Sequence, residues 1–345
     1  MRALTLSEHC EPDALMCRDV AEPDLKGNEV LVELKAAAMN HLDLWVRKGV
    51  PGHKFPLPLI LGSDGAGIVA DKGDGVGEDI STGDRVALMP GISCNHCYAC
   101  HMGEHQLCRS YGLLGETRDG TNAEFIAVPS ENVIPMPDSM SFDDAAAVPL
   151  TFLTAWHMLT GRAKVQPWHT VLVHGAGSGV SVAAIQIAKL FNATVLATTS
   201  TEQKMQKAAE LGADHVFNYK KQDVAVEIFK KTAKEGVDIV IDHVGQATFD
   251  VGIGCLKKGG ALVTCGTTSG PELKVHGPLL FFKGLSVLGS TMGNRGEQYL
   301  AFQQVARGRM RPVIDCKFPL SEAAAAHAYL ESGQQFGKVI LDPTM

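Results

Sequence analysis

The sequence predicts an α/β protein in which a doubly wound parallel sheet is inserted into a discontinuous, β-rich domain. Three observations carry this reading. From residue 170 onward, strand and helix patterns alternate strictly. A Gly-rich turn within Val171-Leu-Val-His-Gly-Ala-Gly-Ser-Gly-Val180 joins the first of those strands to a helix. The residues before about 150 are rich in short strands and turn clusters, and the texture after about residue 288 returns to theirs.

Taken in chain order, residues 30–34, 67–70, 85–88 and 124–128 are short apolar runs bounded by Gly, Pro, Asp and Asn clusters such as 72–75 and 82–85. An Ala-rich stretch over 141–159 has helical character. Strands are then predicted at 170–174, 194–199, 215–219, 237–242, 261–265 and 285–289. Helices are predicted at 180–191, 202–211, 222–234 and 248–257, with Gly212 and Gly259 placed as C-terminal caps. Such alternation calls for a sheet covered on both faces. The tail adds helices at 298–307 and 321–332 and a last strand at 338–342. The expected domains are therefore 1–151, with a cysteine lobe at about 92–110, then a cofactor domain at 152–287, then a return to the first domain at 288–345.

At 345 residues the chain is long enough for two cores, and 45% hydrophobic with 20% charged residues is ordinary for a globular protein. A net charge of −7 leaves no electrostatic footprint for nucleic acid. No stretch reaches the roughly 18 uninterrupted apolar residues that a membrane span needs. Residues 1–20 lack the features of a secretory signal, so a cytoplasmic, reducing address is expected.

The pattern Cys94-x-x-Cys97-x-x-Cys100-x₇-Cys108 is the most specific in the chain. Four thiolates at that spacing can close a tetrahedron around one Zn²⁺, and four-sulfur sites are the closed kind that hold structure and leave no open position for catalysis. One structural zinc per chain is expected there.

The Gly-rich turn carries the cofactor prediction. Gly175, Gly177 and Gly179 allow close backbone approach, while Ser178 and Val180 open a helix whose N-terminal N–H groups suit a pyrophosphate. An NAD site would place an acid at the end of the second strand to grip the ribose 2′-OH. This chain has Thr198-Thr-Ser-Thr201 instead, with Lys204 one turn further on. Ser200 and Lys204 suit a 2′-phosphate, with Tyr219 a candidate to flank it, so NADP is favoured over NAD, although Glu202 could still turn inward. Val244, Cys265, Gly266 and Thr267 end neighbouring strands at the carboxyl edge, where the crevice of an open α/β sheet receives its ligand.

Together the cysteine lobe, Gly83-Asp-Arg-Val86, the Gly-rich turn, Val240-Ile-Asp-His-Val-Gly245 and Gly337-Lys-Val-Ile-Leu341 give a chain that resembles the medium-chain dehydrogenase/reductase superfamily, the zinc alcohol dehydrogenases and quinone oxidoreductases, along its whole length. The resemblance implies a Rossmann cofactor domain inserted in a GroES-like catalytic domain. It also implies a homodimer or dimer of dimers joined at sheet edges, with residues 285–292 as the joining segment. By the same resemblance, His41 and Lys338 would lie by the pyrophosphate and Thr154 against the nicotinamide. Ser181 replaces a third Gly of the fingerprint, which predicts a local change in helix–strand spacing.

The departures concern the catalytic metal. Zinc alcohol dehydrogenases hold it with Cys₂His and an exchangeable fourth position. The matching places here are Asn40, Ser63 and the neighbourhood of Leu150 and Thr151, and Leu42 stands where the proton-relay hydroxyl would be. An amide and a hydroxyl cannot replace thiolate and imidazole in holding Zn²⁺; a rearranged site would have to draw on Asp64, His41 and His157. Without a Lewis acid, hydride must go to an acceptor that delocalises charge, a quinone or an α,β-unsaturated carbonyl. Asn40, Asp64 and Thr154 are the catalytic candidates. Asn40 either donates to the substrate carbonyl or caps a turn, and Asp43 reads as a helix-start residue. His157, His174 and His243 read as structural. An alcohol dehydrogenase with an unorthodox metal site and a non-catalytic NADPH-binding protein are the alternatives.

Overall fold

The computed structural model describes residues 1–345. Two compact units emerge, one formed by Met1–Leu150 with Asn294–Met345 and the other by Thr151–Gly293. No helix is long and apolar enough to cross a membrane.

In the first unit, alternating runs of Val, Leu, Ile and Ala form a mixed sheet. Its path runs Val133–Pro135, Arg85–Leu88, Asp64–Lys72, Glu29–Ala38, Lys338–Asp342, Ile314–Pro319, and Phe125–Pro129 also pairs with Glu29–Ala38. Val30, Val32, Leu34, Val69, Val86 and Leu88 bury one face of it, each contributing about 1.5–3 kcal/mol when fully removed from water. The C-terminal return is therefore a sheet component: Ile340 and Leu341 pair antiparallel with Ala38 and Ala37. A smaller sheet of Met16–Asp19, Arg2–Leu6 and Leu59–Ile60 covers the side nearest the N-terminus. Gly91–Ile92 pairs with Gly112–Leu113, forming the neck of the cysteine lobe.

The second unit is a six-stranded parallel sheet. Its spatial order is His215–Asn218, Thr194–Thr199, Thr170–Val173, Val237–Asp242, Leu256–Thr264, Ser286–Gly289, the order 3-2-1-4-5-6 of a doubly wound dinucleotide fold. Helices Gly179–Leu190, Glu202–Glu210, Val224–Lys231 and Phe249–Cys255 make the crossovers between its first five strands. The fold class is thus the one read from the alternation of patterns.

Several elements differ from the reading. The helix expected over 248–257 ends at Cys255, and the following strand starts at Leu256 rather than 261. Gly259, expected as a helix cap, lies within that strand at φ +77°. Residues 257–260 bulge, because the register against Val237–Asp242 jumps from Val237↔Leu256 to Ile239↔Ala261. Gly212 does follow its helix in a left-handed-side conformation, φ +106°, with its N–H on Ala209. A helix at Gly277–Lys283, not anticipated, precedes the last strand of the sheet.

Candidate active site

In the first unit the chain leaves the strand Glu29–Ala38 and enters the helix His41–Lys48 through Asn40. Asp43 shapes this entry: one carboxylate oxygen accepts the Asn40 N–H at 2.6 Å and the other accepts the Gly62 N–H at 3.0 Å. Asp43 thereby ties the loop bearing Asn40 to the loop bearing Ser63 and Asp64, the helix-start role that was expected of it. Burial pushes its carboxyl up to about 6 despite those two donors. Gly62 is required at the second loop. Its φ is +96°, and a Cβ there would lie 2.4 Å from the Asn122 side chain.

Asn40, Asp64 and Lys338 close on one another. The Asn40 amide nitrogen donates to Asp64 Oδ2 at 3.0 Å and to the Ala38 carbonyl at 3.4 Å. The Lys338 ammonium donates to Asn40 Oδ1 at 2.7 Å and to Asp64 Oδ2 at 3.0 Å. Asp64 is fully buried, and its other oxygen accepts the Leu150 N–H at 2.9 Å. Both carboxylate oxygens are thus committed, which makes Asp64 an anchor for its neighbours. The Lys338 head group points into this cluster and is 4% exposed. The reason is the register of the last strand, which runs beside Glu29–Ala38 and puts its first residue next to Asn40.

These residues do not fit a catalytic zinc. Ser63 spends its hydroxyl on the Leu114 carbonyl at 2.8 Å, Asn40 is neutral, and an ammonium lies against both Asn40 and Asp64. A divalent ion at that place would meet a like charge.

The four cysteines do fit a metal. Their sulfur atoms all lie within 4.8 Å of one another. The Cys94–Cys108 and Cys97–Cys100 sulfurs are 3.4 and 3.6 Å apart, close to the roughly 3.8 Å edge of a tetrahedron with ~2.3 Å metal–sulfur bonds. The N–H groups of Cys94 and Ser110 point at the Cys108 sulfur, each at 3.4 Å. The Cys100 N–H holds the Cys97 thiol down to about 6, favouring the thiolate that a metal needs.

In the second unit the Gly-rich turn departs from the strand Thr170–Val173. Gly175 has φ +62°, and a side chain there would crowd the His243 ring at 3.3 Å. Ser178 caps the helix, its hydroxyl accepting the Ser181 N–H at 3.1 Å. Gly177, Gly179 and Val180 complete the turn and the first helical residues, where unsatisfied N–H groups suit a phosphate. Ser181 is fully buried; its hydroxyl donates to the His174 carbonyl at 2.7 Å and meets His243 Nε2 at 2.9 Å. Ser178 Oγ lies 2.8 Å from the same His243 Nε2, so both serine hydroxyls converge on that ring nitrogen. Where the fingerprint has a third Gly, this chain has built a polar contact between helix and strand. His174 Nδ1 lies 3.2 Å from the Thr198 hydroxyl, and burial pushes this imidazole down to about 4. Sequence reasoning passed over this network, because a Ser and two His scattered over 174–243 give no local signal.

Beyond the second strand, Thr201 caps the next helix by accepting the Lys204 N–H at 3.2 Å. Ser200 is partly exposed beside it and Tyr219 is 51% exposed. Glu202 does not turn inward: its carboxylate pairs with Lys221 at 2.9 Å and is 67% exposed. At the carboxyl edge, Asp242 accepts the Val244 N–H at 2.7 Å and the Gly245 N–H at 3.1 Å, and Gly245 packs on Thr267, with Gly266 and Cys265 just before it. Burial raises the Cys265 thiol to about 12, so it is no nucleophile. Thr154 is buried on the helix Pro149–Trp156, its hydroxyl 3.8 Å from the Met292 sulfur. His41 begins the helix after Asn40 and is partly buried.

Two protein-family models match the chain: an alcohol dehydrogenase GroES-like domain over residues 26–138 and a zinc-binding dehydrogenase domain over residues 179–307. The NAD-dependent alcohol dehydrogenase of Sulfurisphaera tokodaii is 33% identical over 99% of this chain and 100% of its own. A solved NAD-dependent alcohol dehydrogenase is 45% identical and superposes with a TM-score of 0.96, covering 99% of both chains. The Escherichia coli quinone oxidoreductase complexed with NADPH is 29% identical, with a TM-score of 0.85 over 99% of this chain and 100% of that one. With its GroES-like and Rossmann domains, its cysteine lobe and these full-length matches, the chain belongs to the medium-chain dehydrogenase/reductase superfamily of zinc-type alcohol dehydrogenases and quinone oxidoreductases, and is an NAD(P)-dependent oxidoreductase.

Proposed function

We propose that the protein is an NADPH-dependent reductase of quinones or α,β-unsaturated carbonyls that works without a catalytic metal and carries one structural zinc in its cysteine lobe. The observation that carries this reading is the Asn40–Asp64–Lys338 cluster, in which an ammonium bonds to both Asn40 and Asp64. A plain alcohol needs its developing alkoxide stabilised by a Lewis acid. An enone or quinone spreads the charge over its own conjugated system and needs only hydrogen-bond donors or a fixed cation.

The nicotinamide, when bound, supplies the hydride. Gly175, Gly177, Ser178, Gly179 and Val180 hold its pyrophosphate at the helix start. Thr154, Val244, Cys265, Gly266 and Thr267 support the nicotinamide end. Ser200, Lys204 and Tyr219 receive the 2′-phosphate, a preference supported by the engagement of Glu202 with Lys221, which removes the nearby acid. The edge strand Ser286–Gly289 has a single sheet neighbour, and Phe281 and Phe282 beside it are exposed, an arrangement that fits a homodimer joined at this edge.

Steady-state turnover of NADPH with a panel of small enones and quinones tests the reading. Turnover on the panel, with none on aliphatic alcohols plus NADP⁺, is expected. Inert NADPH-bound protein across the panel contradicts it. The descriptions of several relatives as NAD-dependent alcohol dehydrogenases favour a second reading, alcohol oxidation with NAD. It wins if alcohol oxidation exceeds enone reduction in the same assay.

A further inference from the structure

The Gly-rich turn is tied to the sheet by a hydroxyl–imidazole network that its glycines do not require. Ser178 Oγ and Ser181 Oγ lie 2.8 and 2.9 Å from His243 Nε2. Ser178 Oγ also accepts the Ser181 N–H at 3.1 Å, and the Ser181 hydroxyl donates to the His174 carbonyl at 2.7 Å. The contact between Ser178 and His243 needs one hydrogen, and two arrangements supply it. In the first, the Ser178 hydroxyl donates to a bare Nε2 and is satisfied inside the network. In the second, Nε2 carries the hydrogen and donates to the serine oxygens, so the Ser178 O–H is free to turn outward. Ser178 is partly exposed and caps the helix Gly179–Leu190, beside the free N–H groups of the helix start.

An anion at that helix start distinguishes the two. An ionised phosphate oxygen accepts hydrogen bonds and offers none, so only the second arrangement lets Ser178 donate to it. A bond to a charged oxygen is stronger than one to a neutral imidazole, so binding shifts the population toward the second. Burial pushes the His243 pKa below its ordinary value. The adjacent Asp242 carboxylate is already committed to the Val244 and Gly245 N–H groups and the Thr248 hydroxyl. The ring is therefore neutral in both arrangements: Nδ1 gives a proton to solvent and Nε2 takes one from it.

We infer that His243 is a positioning residue for the dinucleotide, which by exchanging tautomers releases the Ser178 hydroxyl to the pyrophosphate, with the fully buried Ser181 as the fixed acceptor beside the ring. This rests on the placement of the pyrophosphate at the Gly-rich turn. Because Ser181 stands at the third Gly of the fingerprint, the device is an addition to that fingerprint.

The test follows ¹⁵N signals of imidazoles and backbone amides in the deuterated full-length protein during titration with ADP-ribose, which carries a pyrophosphate without nicotinamide or 2′-phosphate. His243→Gln identifies the ring signals among the 13 histidines. His243 Nε2 is expected to move from the position of a bare ring nitrogen to that of a protonated one as the amides of residues 177–180 shift. NADH dissociation constants in a double-mutant cycle give a second readout. Ser178→Ala is expected to weaken NADH about tenfold, the scale of one charge-assisted bond. His243→Phe is expected to cost about as much alone and less than about twofold when added to Ser178→Ala, because it acts through that hydroxyl. A His243 Nε2 that keeps its unliganded state while the turn amides shift overturns the inference and leaves the pyrophosphate placement standing. Additive losses in the cycle overturn it too, since His243 would then act independently of Ser178. ADP-ribose that binds without shifting those amides overturns the placement, and the inference with it.

Discussion

At the scale of single residues, the chemistry is set by which polar groups still have something to give. Ser63 and Asn40 are neutral and already bonded, so they offer zinc no ligand field. Lys204 bears on cofactor choice. It lies in the first turn of a helix capped by Thr201. Lys204→Ala is expected to weaken NADPH binding about tenfold and NADH binding less than twofold, from loss of one charge-assisted contact. Fluorescence titration with both cofactors checks this, and equal losses would place the 2′-phosphate elsewhere. His327 makes a second case. It is fully buried with neither ring nitrogen bonded, close to Arg47, and burial pushes its pKa from 6.5 down to about 3. The unfolded chain takes up a proton near pH 6.5 that the folded chain refuses until about pH 3. Stability from this group is therefore full above pH 6.5 and falls through that window, by about 2 kcal/mol between pH 7 and pH 5. His327→Leu is expected to remove that much of the acid slope in urea titrations at the two pH values. An unchanged slope would mean that the imidazole is protonated in the fold.

At the scale of elements, the cysteine lobe is a separable device. The pair Gly91–Ile92 with Gly112–Leu113 closes its neck, and the four sulfurs converge inside it. Cys97→Ser is expected to lose most of the bound zinc and several °C of melting temperature, with NADPH affinity unchanged, because structural zinc contributes folding energy directly. Loss of hydride transfer at unchanged stability would instead give the lobe a catalytic part. The lobe and the Gly-rich turn were both legible in the sequence because each is local: spacing alone brings the ligands or the N–H groups together. The same holds for the strand Lys338–Asp342, whose bounds match the sequence reading. What that strand does was not legible. Lys338 meets Asn40 across 298 residues of chain through an antiparallel pairing that no periodicity encodes. The misplaced cap at Gly259 has a similar cause: a Gly with positive φ marks a bulge as readily as a helix end, and only the neighbouring strand decides between them.

At the scale of the whole molecule, the family's two domains and its cysteine lobe are retained while the residues that would hold a catalytic metal are exchanged. The sheet order, the continuous pattern of buried Val, Ile and Leu in the parallel strands and the C-terminal return all follow from sequence texture. Substrate choice does not, because it depends on which groups long-range pairings bring to Asn40. The central claim is that the protein reduces a conjugated acceptor without a catalytic metal. Metal analysis of the purified protein, paired with its rate on an enone before and after chelation, tests that claim most directly. One zinc per chain, held by the cysteine lobe, with enone reduction unaffected by a chelator that leaves the lobe loaded, is the expected result. Two zinc ions per chain, with an activity that disappears when the second is stripped, would contradict it.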